Sequence, residues 1–247
     1  MGCTLNIHNF NRNTEYIMEK SYTIRVILFT MALGLMPVVP AIAQIDMGAD
    51  IMSRYVWRGA EFGNSPSLQP ELAYTSGGLE IGVWGAYATT GNPDGTEVDL
   101  FASYTFDTDN GAFSVMVTDY TFPVHHNTAT GNETWFSSDA HFIEAGLGYE
   151  GPASFPVSVM AGMFVHNDDD NSVYIELGYD LAPVGLFIGM TPMESEAYGT
   201  TGPGIINMGF DVGHDLRITD TFQIGLTTSF ILNPYAENMF FLFGFSI

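Results

Sequence analysis

From Gln44 onward the chain consists of segments of roughly ten residues in which apolar and polar positions alternate, separated by turn residues. Residues of equal parity share one face of a β-strand, so each segment has an apolar face and a polar face. No stretch after Gln44 holds 18 consecutive apolar residues, and helical periodicity is absent. The pattern therefore predicts strands and excludes helices that span a membrane.

The alternation predicts twelve strands. Links from an odd to an even segment are longer and more polar than links from an even to an odd segment. Long loops at one end and short turns at the other are typical of outer-membrane barrels. We therefore predict an all-β fold, a transmembrane antiparallel up-and-down β-barrel of 12 strands. The segments are 47–59, 67–75, 78–88, 96–106, 112–121, 138–149, 157–166, 172–181, 184–191, 205–214, 221–231 and 239–247.

A soluble β-sandwich or barrel is the rival fold, since it also gives alternating strands. A soluble barrel keeps its polar face outward and carries surface lysines, whereas this chain has no Lys after residue 43. Aromatic residues also recur at strand ends on the apolar side, as in the interface girdles of membrane barrels. These aromatics are Tyr55, Trp57, Tyr74, Tyr87, Tyr104, Phe106, Tyr149 and Tyr179.

The N-terminal region divides into two parts. Residues 1–17 have no periodicity, and we interpret them as an over-called leader before a start at Met18. Residues 18–43 have the features of a signal peptide: basic residues, the apolar run 26–39, and an A-x-A cleavage site at 41–43. A signal anchor is the alternative, but the apolar run is too short to span a membrane. We expect the barrel to occupy residues 44–247.

Removal of residues 1–43 changes the charge balance. The whole chain has six basic and 28 acidic residues; Arg12, Lys20, Arg25, Glu15 and Glu19 are lost, and the formal net charge becomes −23. A nucleic-acid-binding protein needs a basic surface, so that class is excluded. The chain's one cysteine, Cys3, is lost too, which removes disulfides, cysteine metal sites and thiol nucleophiles.

The polar faces of the strands predict an acidic lumen. Ionisable residues at membrane depth line water or pair with each other, and a carboxylate-lined pore attracts cations. A filled lumen with little conduction is the alternative. Register further suggests that Arg58 lies opposite Ser67 and that Arg54 pairs with Glu71 across strands. The predicted pore-lining residues are Arg54, Arg58, Glu71, Glu80, Glu97, Asp99, Glu144, Glu176 and Asp211.

Several short motifs look like those of a known family. They are S-x-Y-V-W-R-G at 53–59, Pro66 with Gln69, GGLEIGVWGAY at 77–87, EVDLFASY at 97–104, DYTFP at 119–123 and IELGYDL at 175–181. In combination they resemble the TorF-type porins of Gram-negative outer membranes. The resemblance implies a barrel that passes small solutes by diffusion.

These observations predict an outer-membrane porin with weak cation preference and no cofactor. Its expected partners are outer-membrane lipid, lipopolysaccharide, small solutes and, through the last strand, the barrel-assembly machinery. That strand ends in Ile247 rather than the usual aromatic residue, although Phe241, Phe243 and Phe245 keep the alternation. A plugged structural or adhesive barrel and a lipid-modifying enzyme are the alternatives.

No catalytic or metal site is predicted. His141 lies on the outward face near Ser137 and Ser138, but no G-x-S-x-G motif or spacing supplies a catalytic acid. The carboxylates at 168–170 lack the full spacing of a calcium loop. His125 and His126 have no further ligand at metal-site spacing, so both segments are expected to be solvated loops.

Overall fold

The computed structural model describes residues 43–90, 95–122 and 138–247. The predicted leader, nearly all of the signal peptide, and His125 and His126 lie outside these ranges. No helix within them is long and apolar enough to cross a membrane. The strands are β1 (Gln44–Met52), β2 (Tyr55–Trp57), β3 (Ala60–Gly63), β4 (Ser67–Ser76), β5 (Leu79–Ala88), β6 (Glu97–Thr108), β7 (Gly111–Thr121), β8 (His141–Glu150), β9 (Val157–His166), β10 (Val173–Asp180), β11 (Val184–Thr191), β12 (Gly204–Arg217), β13 (Gln223–Asn233) and β14 (Asn238–Ser246).

Twelve of these strands form a closed antiparallel barrel, which confirms the predicted fold class. β4 to β14 pair in chain order, and β1 closes the barrel between β14 and β4. β1 pairs with β4 over its whole length, but with β14 over a shorter stretch, Asp50–Met52 with Gly244–Ser246, flanked by backbone hydrogen bonds of Ala49 with Ile247 and of Ser53 with Phe243. β2 and β3 pair only with each other, as a separate two-stranded sheet.

The two ends of the barrel differ. At the turn end, β4 and β5 are joined by residues 77–78 and β6 and β7 by residues 109–110, and β1 starts there. At the loop end, β1 and β4 are joined by residues 53–66 and β11 and β12 by residues 192–203. The longest links thus fall at the loop end, as the sequence predicts, although the loop end also has the four-residue link 234–237 and the turn end the six-residue link 151–156.

The outward face of the barrel is apolar and the inward face is polar. Leu147 and Phe241 point outward and are 62% and 63% exposed, whereas the inward Glu144 is 6% exposed. Near the turn end, outward aromatic rings lie against each other, with ring centroids 4.7 Å apart for Tyr104 and Phe106 along β6 and 4.9 Å apart for Phe113 and Tyr149 across β7 and β8. A soluble barrel has the opposite arrangement, with its apolar side chains inside.

The predicted extent of the first strand is wrong. β1 ends at Met52, which pairs with Ser67, and the chain then leaves the barrel wall. Residues 53–66 fold inward and carry β2 and β3, and we call this segment the inner hairpin. Tyr55 and Trp57 were expected to face lipid, but they pack inside the barrel against Trp84 and Tyr120.

The reason for this error is that the inner hairpin continues the alternation of β1. A period of two residues identifies a strand but not the sheet to which it belongs. At the hairpin's tip, Trp57 pairs with Ala60, and both intervening residues have positive φ, 48° for Arg58 and 76° for Gly59. Two such residues form a type I′ turn, the geometry that favours a tight hairpin.

Asp119 is a charged residue on the outward face. It lies beside outward-facing Leu100 in the β6–β7 register, near the loop end. Its carboxylate is 2.8 Å from Nδ1 of His141 on β8, which also faces outward. The pair satisfies a carboxylate that an apolar surface alone would leave without a partner.

Candidate functional site

The inner hairpin crosses the lumen near the loop end. Its residues contact inward side chains or backbone of seven barrel strands, so it occupies the centre of the barrel. The contacted residues are Trp84 on β5, Glu97 on β6, Tyr120 on β7, Glu144 on β8, Tyr174 on β10, Ile206 on β12 and Asn233 on β13.

Arg58 at the hairpin's tip makes the main polar contact with the barrel wall. Its Nη1 and Nη2 donate to the two carboxylate oxygens of Glu144 at 2.6 and 2.9 Å. The side chains of Arg58 and Glu144 are only 8% and 7% exposed. A bidentate guanidinium–carboxylate contact in a buried site is the geometry in which an ion pair is strongest.

Aromatic groups complete the surroundings of Arg58. The guanidinium carbon lies 4.4 Å from the ring centroids of both Trp57 and Tyr174, within cation–π range. Nη1 also donates to the hydroxyl of Tyr198 in the β11–β12 loop at 2.5 Å. The hydroxyl of Tyr120 donates to Glu144 at 2.9 Å. Both charged groups therefore have several hydrogen-bond partners, as burial requires.

Below the hairpin, toward the turn end, the lumen is open and acidic. A cavity of about 320 Å³ has Asp46, Asp50, Gln69, Glu71, Trp84 and Ser246 among its lining residues. Across the lumen, Glu176 accepts hydrogen bonds from Tyr174 and Asn207, and Asp211 accepts one from Ser229 at 3.3 Å. The lumen thus combines a closed loop end with a carboxylate-lined turn end.

A family comparison covers most of this site. Residues 42–200 match the model of a family described as "Bacterial protein of unknown function (Gcw_chp)". The chain belongs to this family. The matched range includes the inner hairpin and both members of the Arg58–Glu144 pair.

The Gcw_chp description names no activity, and no curated protein matches the chain. The resemblance to TorF-type porins therefore stays a prediction. The motif at 53–59 on which that resemblance depends most lies in the inner hairpin of this Gcw_chp member, not in a barrel strand.

The predicted pore-lining residues divide into those that face the lumen from the barrel wall and those on the hairpin. Glu71, Glu80, Glu97, Asp99, Glu144, Glu176 and Asp211 lie on barrel strands with inward parity. Arg54 and Arg58 are on the hairpin instead. The predicted Arg54–Glu71 pair is wrong, because Glu71 lies opposite Gly48 and Trp84, and Arg54 donates to Glu61 at 2.6 Å. The predicted position of Arg58 opposite Ser67 is also wrong, because Ser67 lies opposite Met52.

The aromatic partners of Arg58 were not predicted. Tyr120 and Tyr174 lie at inward positions among polar residues. An aromatic residue at an inward position is the sequence feature that could have identified them. Tyr198 lies in a loop 140 residues from Arg58, and no local pattern marks it.

The acidic residues 168–170 lie in the β9–β10 loop and hold it against the β11–β12 loop. Asp170 accepts hydrogen bonds from the Ser172 hydroxyl and the Glu196 backbone N–H, both at 2.8 Å. These bonds lower the pKa of Asp170 below its usual value, and the bond from the Ser172 hydroxyl makes the largest contribution. Within the described ranges, no group of three or more His, Cys, Asp or Glu residues is arranged to hold a metal.

Proposed function

We propose that this bacterial barrel lies in the outer membrane and is a narrow, cation-preferring channel for small hydrophilic solutes, held closed by the inner hairpin. The observation that carries the proposal is the reversed polarity of the barrel, with apolar side chains outside and carboxylates inside. An outward apolar face with aromatic rings at its edge suits a lipid bilayer. Ten of the twelve barrel strands have 9 to 14 residues, which is long enough to cross one, and β10 and β11 have eight.

The charge balance of the lumen supports the predicted cation preference. Arg58 neutralises Glu144, while Glu71 and Glu80 lie near each other toward the turn end without a basic partner among the described residues. Low-dielectric walls strengthen the field of such carboxylates, which attracts cations and repels anions.

The inner hairpin favours a second candidate, a plugged structural barrel that conducts nothing. The hairpin crosses the lumen, and its tip is held by a buried ion pair. The two candidates differ in whether the hairpin leaves the lumen and whether the remaining space conducts.

Ion selectivity in planar bilayers tests the channel proposal. The test protein is a variant in which residues 53–66 are replaced by Asn-Gly; because Met52 and Ser67 are direct cross-strand partners, a two-residue turn joins them. In a KCl gradient we expect a reversal potential of the sign that indicates cation preference. Adding Glu71→Gln and Glu80→Gln should reduce that preference. Glu237→Gln, in the exposed β13–β14 link, is the control and should leave it unchanged. Anion preference, or no insertion into bilayers, would contradict the proposal.

A further inference from the structure

Glu97 and Asp99 form a second polar site in the lumen, separate from the Arg58–Glu144 pair. They lie two residues apart on β6, so both face inward, and they are 2% and 7% exposed. Asp99 lies opposite Trp84 on β5 and Tyr120 on β7. Tyr55 of the inner hairpin hydrogen-bonds to Glu97. The two carboxyl groups are therefore enclosed by the barrel wall and the hairpin.

No basic side chain among the described residues neutralises these two acids. After residue 43 the chain contains no Lys and only Arg54, Arg58 and Arg217. These pair with Glu61, Glu144 and Asp220 respectively. Two adjacent carboxylates removed from water repel each other and lose their hydration, which is costly without a positive partner. The described residues therefore supply no positive charge to the pair, and one from outside the chain would balance it.

The hydrogen bonds at the site favour a cation over a single shared proton. One proton between the two carboxyl groups accounts for the bond that joins them. Even with that bond, the Tyr55 hydroxyl and the Thr121 backbone N–H in place, Glu97 Oε2 and Asp99 Oδ1 have no partner within the described residues. Buried oxygens without a partner are rare in native proteins, and each one requires an explanation. A cation bound by both oxygens satisfies them together.

We propose that Glu97 and Asp99 bind one oxygen-preferring divalent cation of the Ca²⁺ type beneath Tyr55. The site offers only oxygen ligands, which select hard cations over zinc or copper. Two carboxylates carry a charge of −2, which one divalent cation balances. They supply up to four ligand oxygens, and the Tyr55 hydroxyl and water complete a coordination shell of the flexible kind that Ca²⁺ accepts.

The consequence is a second point of attachment for the inner hairpin. Arg58 fastens the hairpin's tip to β8, and a cation at Glu97 and Asp99 fastens its β2 strand to β6 through Tyr55. Removing the cation is expected to loosen the hairpin at this point. The site does not depend on whether the barrel conducts, so its test is independent of the channel proposal.

Terbium luminescence tests the site in the full-length barrel folded in lipid vesicles. Tb³⁺ replaces Ca²⁺ at oxygen sites and emits when a nearby aromatic ring is excited; Trp84, Tyr55 and Tyr120 are adjacent to the pair. We expect saturable emission from the wild type that excess Ca²⁺ abolishes. Glu97→Gln with Asp99→Asn should remove it. Glu176→Gln with Asp211→Asn, which changes inward carboxylates that already have partners, should keep it.

Two further arms make the result decisive. Asp46→Asn, Asp50→Asn and Glu71→Gln together remove the acids that line the turn-end cavity, and Trp84 also lines that cavity. Loss of emission in that variant but not in the Glu97/Asp99 variant would overturn the proposal, because the ion would then lie in the cavity. Trp84→Phe should weaken the emission while leaving Ca²⁺ stabilisation against thermal unfolding intact. If the wild type shows neither saturable emission nor Ca²⁺ stabilisation, a proton alone neutralises the pair and the proposal is wrong.

Discussion

Arg58→Ala is expected to release the inner hairpin and raise the open probability of the barrel in planar bilayers. The change leaves Glu144 buried with Tyr120 as its remaining hydrogen-bond donor. Breaking a buried ion pair by removing one partner costs about 3–5 kcal/mol. That cost is equivalent to roughly two to four orders of magnitude in the ratio of docked to undocked hairpin. Arginine already has positive φ at this position, so alanine adds no new backbone requirement.

Arg54→Ala is the matched control for Arg58→Ala. Arg54 lies on the same hairpin and also pairs with a glutamate, but the Arg54 and Glu61 side chains are 37% and 31% exposed. An ion pair with that exposure contributes at most about 1 kcal/mol, so this variant should behave like the wild type. The double variant Arg58→Ala with Glu144→Ala removes the uncompensated charge and should recover part of the lost hairpin docking. If Arg58→Ala has the same open probability as Arg54→Ala, the ion pair does not hold the hairpin.

Gly59→Ala is expected to push the tip of the hairpin away from β12. A Cβ at Gly59 would lie 1.9 Å from the backbone oxygen of Ile206, and a backbone atom in a barrel strand has little freedom to move. The residue also has a positive φ of 76°, which costs a non-glycine residue about 1–2 kcal/mol. We expect a higher open probability and a lower free energy of unfolding in a urea titration.

Gly199→Ala separates the two causes. Gly199 has a similar φ of 64°, but a Cβ there meets nothing within 4 Å. It should show only the backbone cost and no change in open probability. Equal effects of the two alanine variants would contradict the close approach of the hairpin to β12.

The barrel was predictable because its physical cause is periodic. Each strand has one apolar and one polar face, so strand number and the direction of Glu144 and Asp211 follow from the alternation. The inward folding of residues 53–59 was not predictable in the same way, because Tyr55 and Trp57 continue the alternation of β1. Only the partners they find in three dimensions, Trp84 and Tyr120, decide that they turn inward.

The surroundings of Arg58 illustrate the same limit. Sequence parity placed Arg58 in the lumen beside acidic residues, but the identity of its partner depends on where the hairpin ends. A residue expected opposite Ser67 instead reaches Glu144, 86 positions away, and Tyr198, 140 positions away. Long-range contacts of this kind arise from barrel closure and loop folding, neither of which has a local signal.

The central claim is that the inner hairpin closes the loop end of an otherwise open lumen. The most direct test compares the single-channel conductance of the wild type with that of the variant in which Asn-Gly replaces residues 53–66. Both proteins keep the twelve barrel strands and the Met52–Ser67 pairing. We predict rare or no openings for the wild type and a steady, cation-selective conductance for the variant. A variant that folds into the bilayer and stays as closed as the wild type would contradict the claim and identify the barrel as a filled, non-conducting one.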